Sequence, residues 1–139
     1  MAARARVVIV HSLPHARAAL AAAGELKRAV VLRTAPGAAG YAGALYLKRV
    51  VEEALKNYAE VRAEVVIDCG EDPGLVLGAL RIGWKAVCFT GPVRVRRKLA
   101  DIAHGRGARL VHGRAEALDL LDSSDPAAAC RSWLGSQRS

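Results

Sequence analysis

A chain of 139 residues is long enough for one domain with its own core, and 53 % apolar content excludes a disordered chain. No run approaches the ~18 apolar residues of a membrane span, and the opening MAARARVVIVHS holds only four clearly apolar residues, short of a signal-peptide core of roughly 7–15. The net charge of +8 favours anionic partners such as phosphorylated metabolites, nucleic acid or acidic proteins, with a solvated arginine-rich surface as the plainer reading.

The opening residues read as a solvated lead-in to a first strand, VVIV, ending in His11-Ser12. Pro14 sits just inside the next helix, about His15–Lys27, where its missing N–H costs nothing. Ala29–Ala35 is a second strand, and Pro36-Gly37 opens a loop of small residues, APGAAGYAG. From about Ala42 to Tyr58 the apolar positions Leu45, Leu47, Val50, Val51, Ala54, Leu55 and Tyr58 follow helical spacing and predict one buried face. Glu64–Asp68 is a third strand. Asp72 ahead of Pro73 signals the start of a helix that runs to Ile82 and stops at Gly83.

Ala86–Phe89 is a fourth strand. A helix over about Val93–Arg106 carries the basic cluster Arg94, Arg96, Arg97 and Lys98, which is too poor in aromatics for specific nucleic-acid readout. Ala108–His112 is a fifth strand, and about Ala115–Leu121 reads as a last helix. Ser123-Ser124-Asp125-Pro126 breaks it. The chain therefore divides into an α/β domain over 1–122 and a polar C-terminal tail over 123–139, whose short apolar piece around Cys130, Trp133 and Leu134 docks back or frays. Continuous apolar strands alternating with helices predict a parallel sheet buried on both faces. Periodicity leaves open whether that sheet is a flavodoxin-like doubly wound one or part of a barrel.

Three cysteines, Cys69, Cys88 and Cys130, form no CxxC pair; an odd count with no export signal points to free thiols and a cytoplasmic protein. Functional groups of parallel α/β folds gather where strands end, which nominates His11, Thr34, Asp68, Cys69, Thr90 and His112. Asp68 beside Cys69 is the foremost candidate: a carboxylate next to a thiol can hold a ligand or orient a nucleophile. A loop-capping aspartate beside a small buried cysteine is the alternative. His11 and His112 read as loop-edge histidines, although His11 approaches Asp68 if the first strand moves beside the third. The loop Pro36–Gly43, with Gly37, Gly40 and Gly43, can offer backbone N–H groups to a phosphate, or can simply be a tight turn. Trp84 reads as packing.

Three stretches together resemble the N-terminal half of class II fructose-bisphosphate aldolases, which are zinc-dependent (β/α)8 barrels. They are VVLRTAPGAAGYAG (Val30–Gly43), VVIDCG (Val65–Gly70) and ALRIGWKAVCFTG (Ala79–Gly91), and the similarity covers roughly Val8 to Val111. The resemblance implies that Asp68 stands where the family has its catalytic aspartate. Thr34, Gly37, Gly40, Thr90 and Gly91, at the strand ends and in the glycine loop, are the expected ligand-binding positions. A zinc-binding histidine of the family becomes Cys69, an aspartate becomes Thr90, and a glutamate falls near Gly113. A catalytic zinc needs about three converging protein ligands, and Cys69 is the one metal ligand this stretch offers.

The expectation is a non-catalytic aldolase-like α/β protein that binds a small anionic or phosphorylated metabolite or a protein partner. The alternative is a residual lyase whose metal site is completed in a dimer. Five strands in sequential order would bare an apolar inner face and two sheet edges. That predicts two copies packed into a barrel-like dimer, or a rearranged order 2-1-3-4-5 with helices on both faces; the rearranged sheet is preferred as a monomer fold, and a homodimer is expected in either case. No membrane or nucleic-acid partner is expected.

Overall fold

The computed structural model describes residues 5–136. The first residues of the expected lead-in, 1–4, and the end of the expected tail, 137–139, lie outside the described residues. Six parallel strands, β1 (Arg6–Val10), β2 (Val30–Thr34), β3 (Ala63–Asp68), β4 (Ala86–Phe89), β5 (Arg109–His112) and β6 (Ala117–Asp119), follow the order β5-β4-β3-β2-β1-β6. The helices between and after them are α1 (Leu13–Leu26), α2 (Ala38–Tyr41), α3 (Ala44–Leu55), α4 (Pro73–Ile82), α5 (Val93–Gly105) and α6 (Pro126–Gly135). The chain resolves into two compact units. One holds Met1–Arg33, Val50–Glu64 and Ala115–Ser139; the other holds Thr34–Arg49 and Val65–Arg114.

In the first unit, Ser12 caps α1: its backbone is extended, and its side chain accepts the N–H of His15 with Pro14 in the first turn. α1 then buries Ala16, Ala19, Leu20, Ala22 and Ala23. The segment Ala115–Leu121, expected as a helix, instead forms β6, which pairs in parallel with β1 through Val7↔Ala117, Val8↔Leu118 and Ile9↔Asp119. Seven residues are too few to sustain a helix alone, and the free edge of β1 offers this segment a ladder on one side. The apolar piece of the expected tail docks back, and it does so as a helix, α6. Asp125 caps α6 by accepting the N–H of Ala128, and α6 packs on α1 with Cys130 and Leu134 fully buried. Trp133 Nε1 donates to the carbonyl of Val7, and the Arg6 guanidinium lies 4.1 Å from the centre of the indole ring.

In the second unit, Asp72 caps α4 by accepting the N–H groups of Gly74 and Leu75, and Gly83, at φ 108, ends it. β3 pairs with β4 through Ile67↔Val87 and Asp68↔Cys88, and β4 pairs with β5 from Ala86↔Arg109 to Phe89↔His112. The expected loop after β2 contains the single turn α2, entered through Gly37 at φ 68. α3 is shorter than the predicted helix, and Leu45, counted on its buried face, is half exposed; only Val51 and Ala54 of that face are buried. Trp84 is packing, as read, and its indole also donates to the carbonyl of Ala44.

The strands keep their sequential order, so the rearranged order 2-1-3-4-5 is not adopted. β6 adds to the outer side of β1 and holds it beside β2. The bare inner face expected of sequential strands is also absent among the described residues. Successive residues of β1 and β4 are buried, and because side chains alternate along a strand, both faces of each are covered.

Candidate functional site

The site is built at the end of β3, where three successive buried residues, Val66, Ile67 and Asp68, carry the strand into Cys69-Gly70. Asp68 has no solvent-exposed surface. Its Oδ1 accepts the N–H groups of Gly37 and Gly70, both at 2.9 Å. Arg114 binds it with two prongs: Nε donates to Oδ2 at 2.9 Å and a terminal nitrogen donates to Oδ1 at 3.1 Å. Thr34, also buried, accepts the backbone N–H of Asp68 through its hydroxyl. Burial alone would push the Asp68 carboxyl up. The Arg114 guanidinium and the Gly37 and Gly70 N–H groups outweigh it and hold the carboxyl below its ordinary range.

Of the other expected residues, Thr34 and Gly37 bond Asp68 directly. Gly37 and Gly70 both take positive φ, at 68° and 59°, which turns their N–H groups onto Asp68. The N–H of Gly40 is spent on the carbonyl of Gly37, and that of Ala38 on Ala35, so these loop donors are occupied within the loop. Thr90 donates its backbone N–H to Gly70, and a side chain at Gly91 would run into the Phe89 ring.

Cys69 is 1 % exposed. Burial, reinforced by the charges of Asp68, Cys88 and Asp72, pushes its thiol up to about 12. The zinc ion that the aldolase resemblance implies does not fit these residues. The Asp68 carboxylate is committed to Arg114, and among the described residues no cluster of three His, Cys, Asp or Glu side chains can hold an ion.

Arg114 itself was not nominated from the sequence. The only hint is an arginine one residue after Gly113, which at φ 74 turns the chain out of β5, and its partner lies 46 positions away. The turn also brings the carbonyl of Gly113 to the Cys88 thiol, which donates to it.

In the first unit the end of β1 carries a second polar group. His11 Nε2 lies 2.6 Å from Asp119 Oδ1, and the backbone N–H of His11 donates to His15 Nδ1. Burial and the neighbouring His11 lower the His15 pKa against the opposing pull of Asp119. Burial of the Asp119 carboxyl is outweighed by the Leu121 N–H and His11, which lower it. Also in this unit, Arg33 is buried, donates to the carbonyl of Ala115, and leaves its Nε without a partner.

No protein-family model matches the chain. Among characterised sequences it is 25 % identical over 128 residues to the fructose-bisphosphate aldolase of Xanthobacter flavus, covering 82 % of this chain and 36 % of that enzyme. It is 27 % identical over 128 residues to the plasmid-encoded fructose-bisphosphate aldolase of Cupriavidus necator, covering 82 % and 37 %. Among solved structures, a candidate fructose-1,6-bisphosphate aldolase of Coccidioides immitis superposes with a TM-score of 0.68 at 22 % identity, over 82 % of this chain and 43 % of that one. A candidate tagatose 6-phosphate kinase of Sinorhizobium meliloti gives a TM-score of 0.57 at 13 % identity, over 94 % and 45 %. The chain spans about a third of the length of the aldolase sequences it matches, and over that third it has an aldolase-like α/β fold.

Proposed function

We propose that this chain is a non-catalytic aldolase-like protein, one that keeps the α/β framework and binds a small anionic or phosphorylated metabolite rather than cleaving it. The observation that carries the non-catalytic reading is the two-pronged Asp68–Arg114 pair. A general base needs a reachable lone pair and a pKa near the working pH. Asp68 has no exposed surface, its oxygens already accept four hydrogen bonds, and its carboxyl is held low. The neighbouring Cys69 joins no cluster of three possible metal ligands among the described residues. The anion-binding half of the reading draws on the net charge of +8.

The test is an aldol-cleavage assay of the purified chain. Fructose 1,6-bisphosphate is supplied with zinc, cobalt or manganese, and triose phosphate is detected by a coupled reaction. The expected result is no product above the protein-free blank with any metal. Metal-dependent cleavage that disappears in Asp68→Asn would overturn the proposal.

A further inference from the structure

The basic cluster Arg94, Arg96, Arg97 and Lys98 has no part in the Asp68 site and occupies the first turns of α5. Arg94, Arg97 and Lys98 stand at i, i+3 and i+4, so they share one face, with about 5–6 Å between neighbouring Cβ atoms. All three are exposed, and the buried residues of the helix, Leu99 and Ala103, lie on its opposite side. The face is therefore the convex outer side of α5. Half-exposed Val93 and Ile102 fall at its two edges rather than within it.

Nothing within the fold offsets this arrangement. None of the four basic side chains forms an ion pair or a hydrogen bond among the described residues. Like charges at i, i+3 and i+4 destabilise a helix, and cations are disfavoured at its positive N-terminal end. The first turn contains no acidic residue, and Pro92, at the cap position, supplies no side-chain acceptor. Asp101 is the one acid of α5. It follows a turn later, at i+4 from Arg97 and i+3 from Lys98, and pairs with neither. The cluster thus weakens its own helix, and an anion from outside relieves the repulsion and the dipole mismatch together.

Shape decides the kind of anion. A small ligand is held in a concavity, whereas cations strung along a convex ridge fit an extended polyanion. Guanidinium forks match phosphate oxygens. α5 carries no Phe, Tyr or Trp on which the bases of a single strand would stack, so the fit is to the backbone of a duplex. An anionic bilayer fits less well, because the apolar side of α5 points into the core and is not free to enter lipid.

We propose that the Arg94–Arg97–Lys98 face of α5 binds the phosphodiester backbone of duplex nucleic acid without regard to sequence. The two guanidinium groups and the ammonium each take a phosphate, and half-buried Arg96 adds charge from beside the face. The surface shares no residue with the Asp68 centre, so it stands or falls separately from the small-anion reading.

The experiment is a fluorescence-anisotropy titration of an end-labelled DNA duplex of about 20 base pairs with the whole chain, between about 25 and 200 mM sodium chloride. The duplex is expected to saturate with a Kd below about 10 μM at the lowest salt, and log K should fall against log salt with a slope of about −2.7, the value for three phosphates. The triple variant Arg94→Gln, Arg97→Gln, Lys98→Gln should bind at least about tenfold more weakly. The same variant should melt higher, since it relieves the repulsion. A control triple, Arg17→Gln, Lys27→Gln, Arg131→Gln, removes equal charge from exposed positions elsewhere and should change binding by less than about twofold. Four results would each overturn the proposal. They are an α5 variant that binds the duplex as the parent does, equal losses in the two triples, a single strand of the same length that binds more tightly than the duplex, and sedimentation with phosphatidylserine vesicles when the duplex does not saturate.

Discussion

Asp68 accepts about as many hydrogen bonds as a carboxylate can hold, all from the protein itself. Its charge therefore bears on the stability of the fold. Because the folded-state pKa lies below that of the unfolded chain, its contribution is complete above the ordinary carboxylate value of about 3.9. It drains away as pH falls from there through the lower folded value. Stability measured by denaturant melts should accordingly fall on acidification below about pH 4, and Asp68→Asn should lack that part of the slope. An equal slope in the variant would assign the acid loss to other groups. At neutral pH, Arg114→Ala should cost about 2 kcal/mol. That is below the ~3–5 of breaking a fully buried pair, because Arg114 is 35 % exposed and the Gly37 and Gly70 N–H groups remain. A loss under half of that would mean that solvent already screens the pair.

At the scale of elements, β6 and α6 complete the first unit. β1 gains a parallel partner from β6, and α1 gains a packed cover from α6, anchored by Cys130, Leu134 and the Trp133 bond to Val7. Leu134→Ala should destabilise by ~2–4 kcal/mol, the range for a buried leucine whose site relaxes incompletely. Removal of residues 124–139 should abolish the cooperative thermal transition followed by circular dichroism, since it strips α1 of its packed partner. A melt unchanged by that deletion would return the segment to the status of a tail.

For the whole molecule, the charge is unevenly shared. The unit of Thr34–Arg49 and Val65–Arg114 carries eleven Lys and Arg against four Asp and Glu, and the other unit carries ten against nine. Two of those four acids are already engaged, Asp68 by Arg114 and Asp72 by the start of α4. Like charges repel in the folded state, and salt screens that repulsion over a Debye length of about 10 Å at 0.1 M. The melting temperature should therefore rise by a few degrees, on the order of 2–5 °C, between about 20 and 200 mM sodium chloride. A fall over the same range would show that attractive pairs, and not repulsion, dominate the balance.

The sequence by itself determined the local signals: β1 to β5, the caps at Asp72 and Gly83, the place of Asp68 at the end of β3, and the aldolase resemblance. These are legible because apolar periodicity and capping act within a few residues. Tertiary structure alone decided the rest. Ala115–Leu121 reads as a helix in isolation and becomes β6 because β1 had a free edge. Whether the apolar C-terminal piece docks or frays was open in the sequence; it docks as α6 because α1 had an apolar side to cover. Asp68 reads as a candidate base and becomes a sealed carboxylate because Arg114, 46 positions away, reaches it. A contact at that separation leaves no periodic trace in the chain, so only the folded backbone could show which arginine the aspartate would meet.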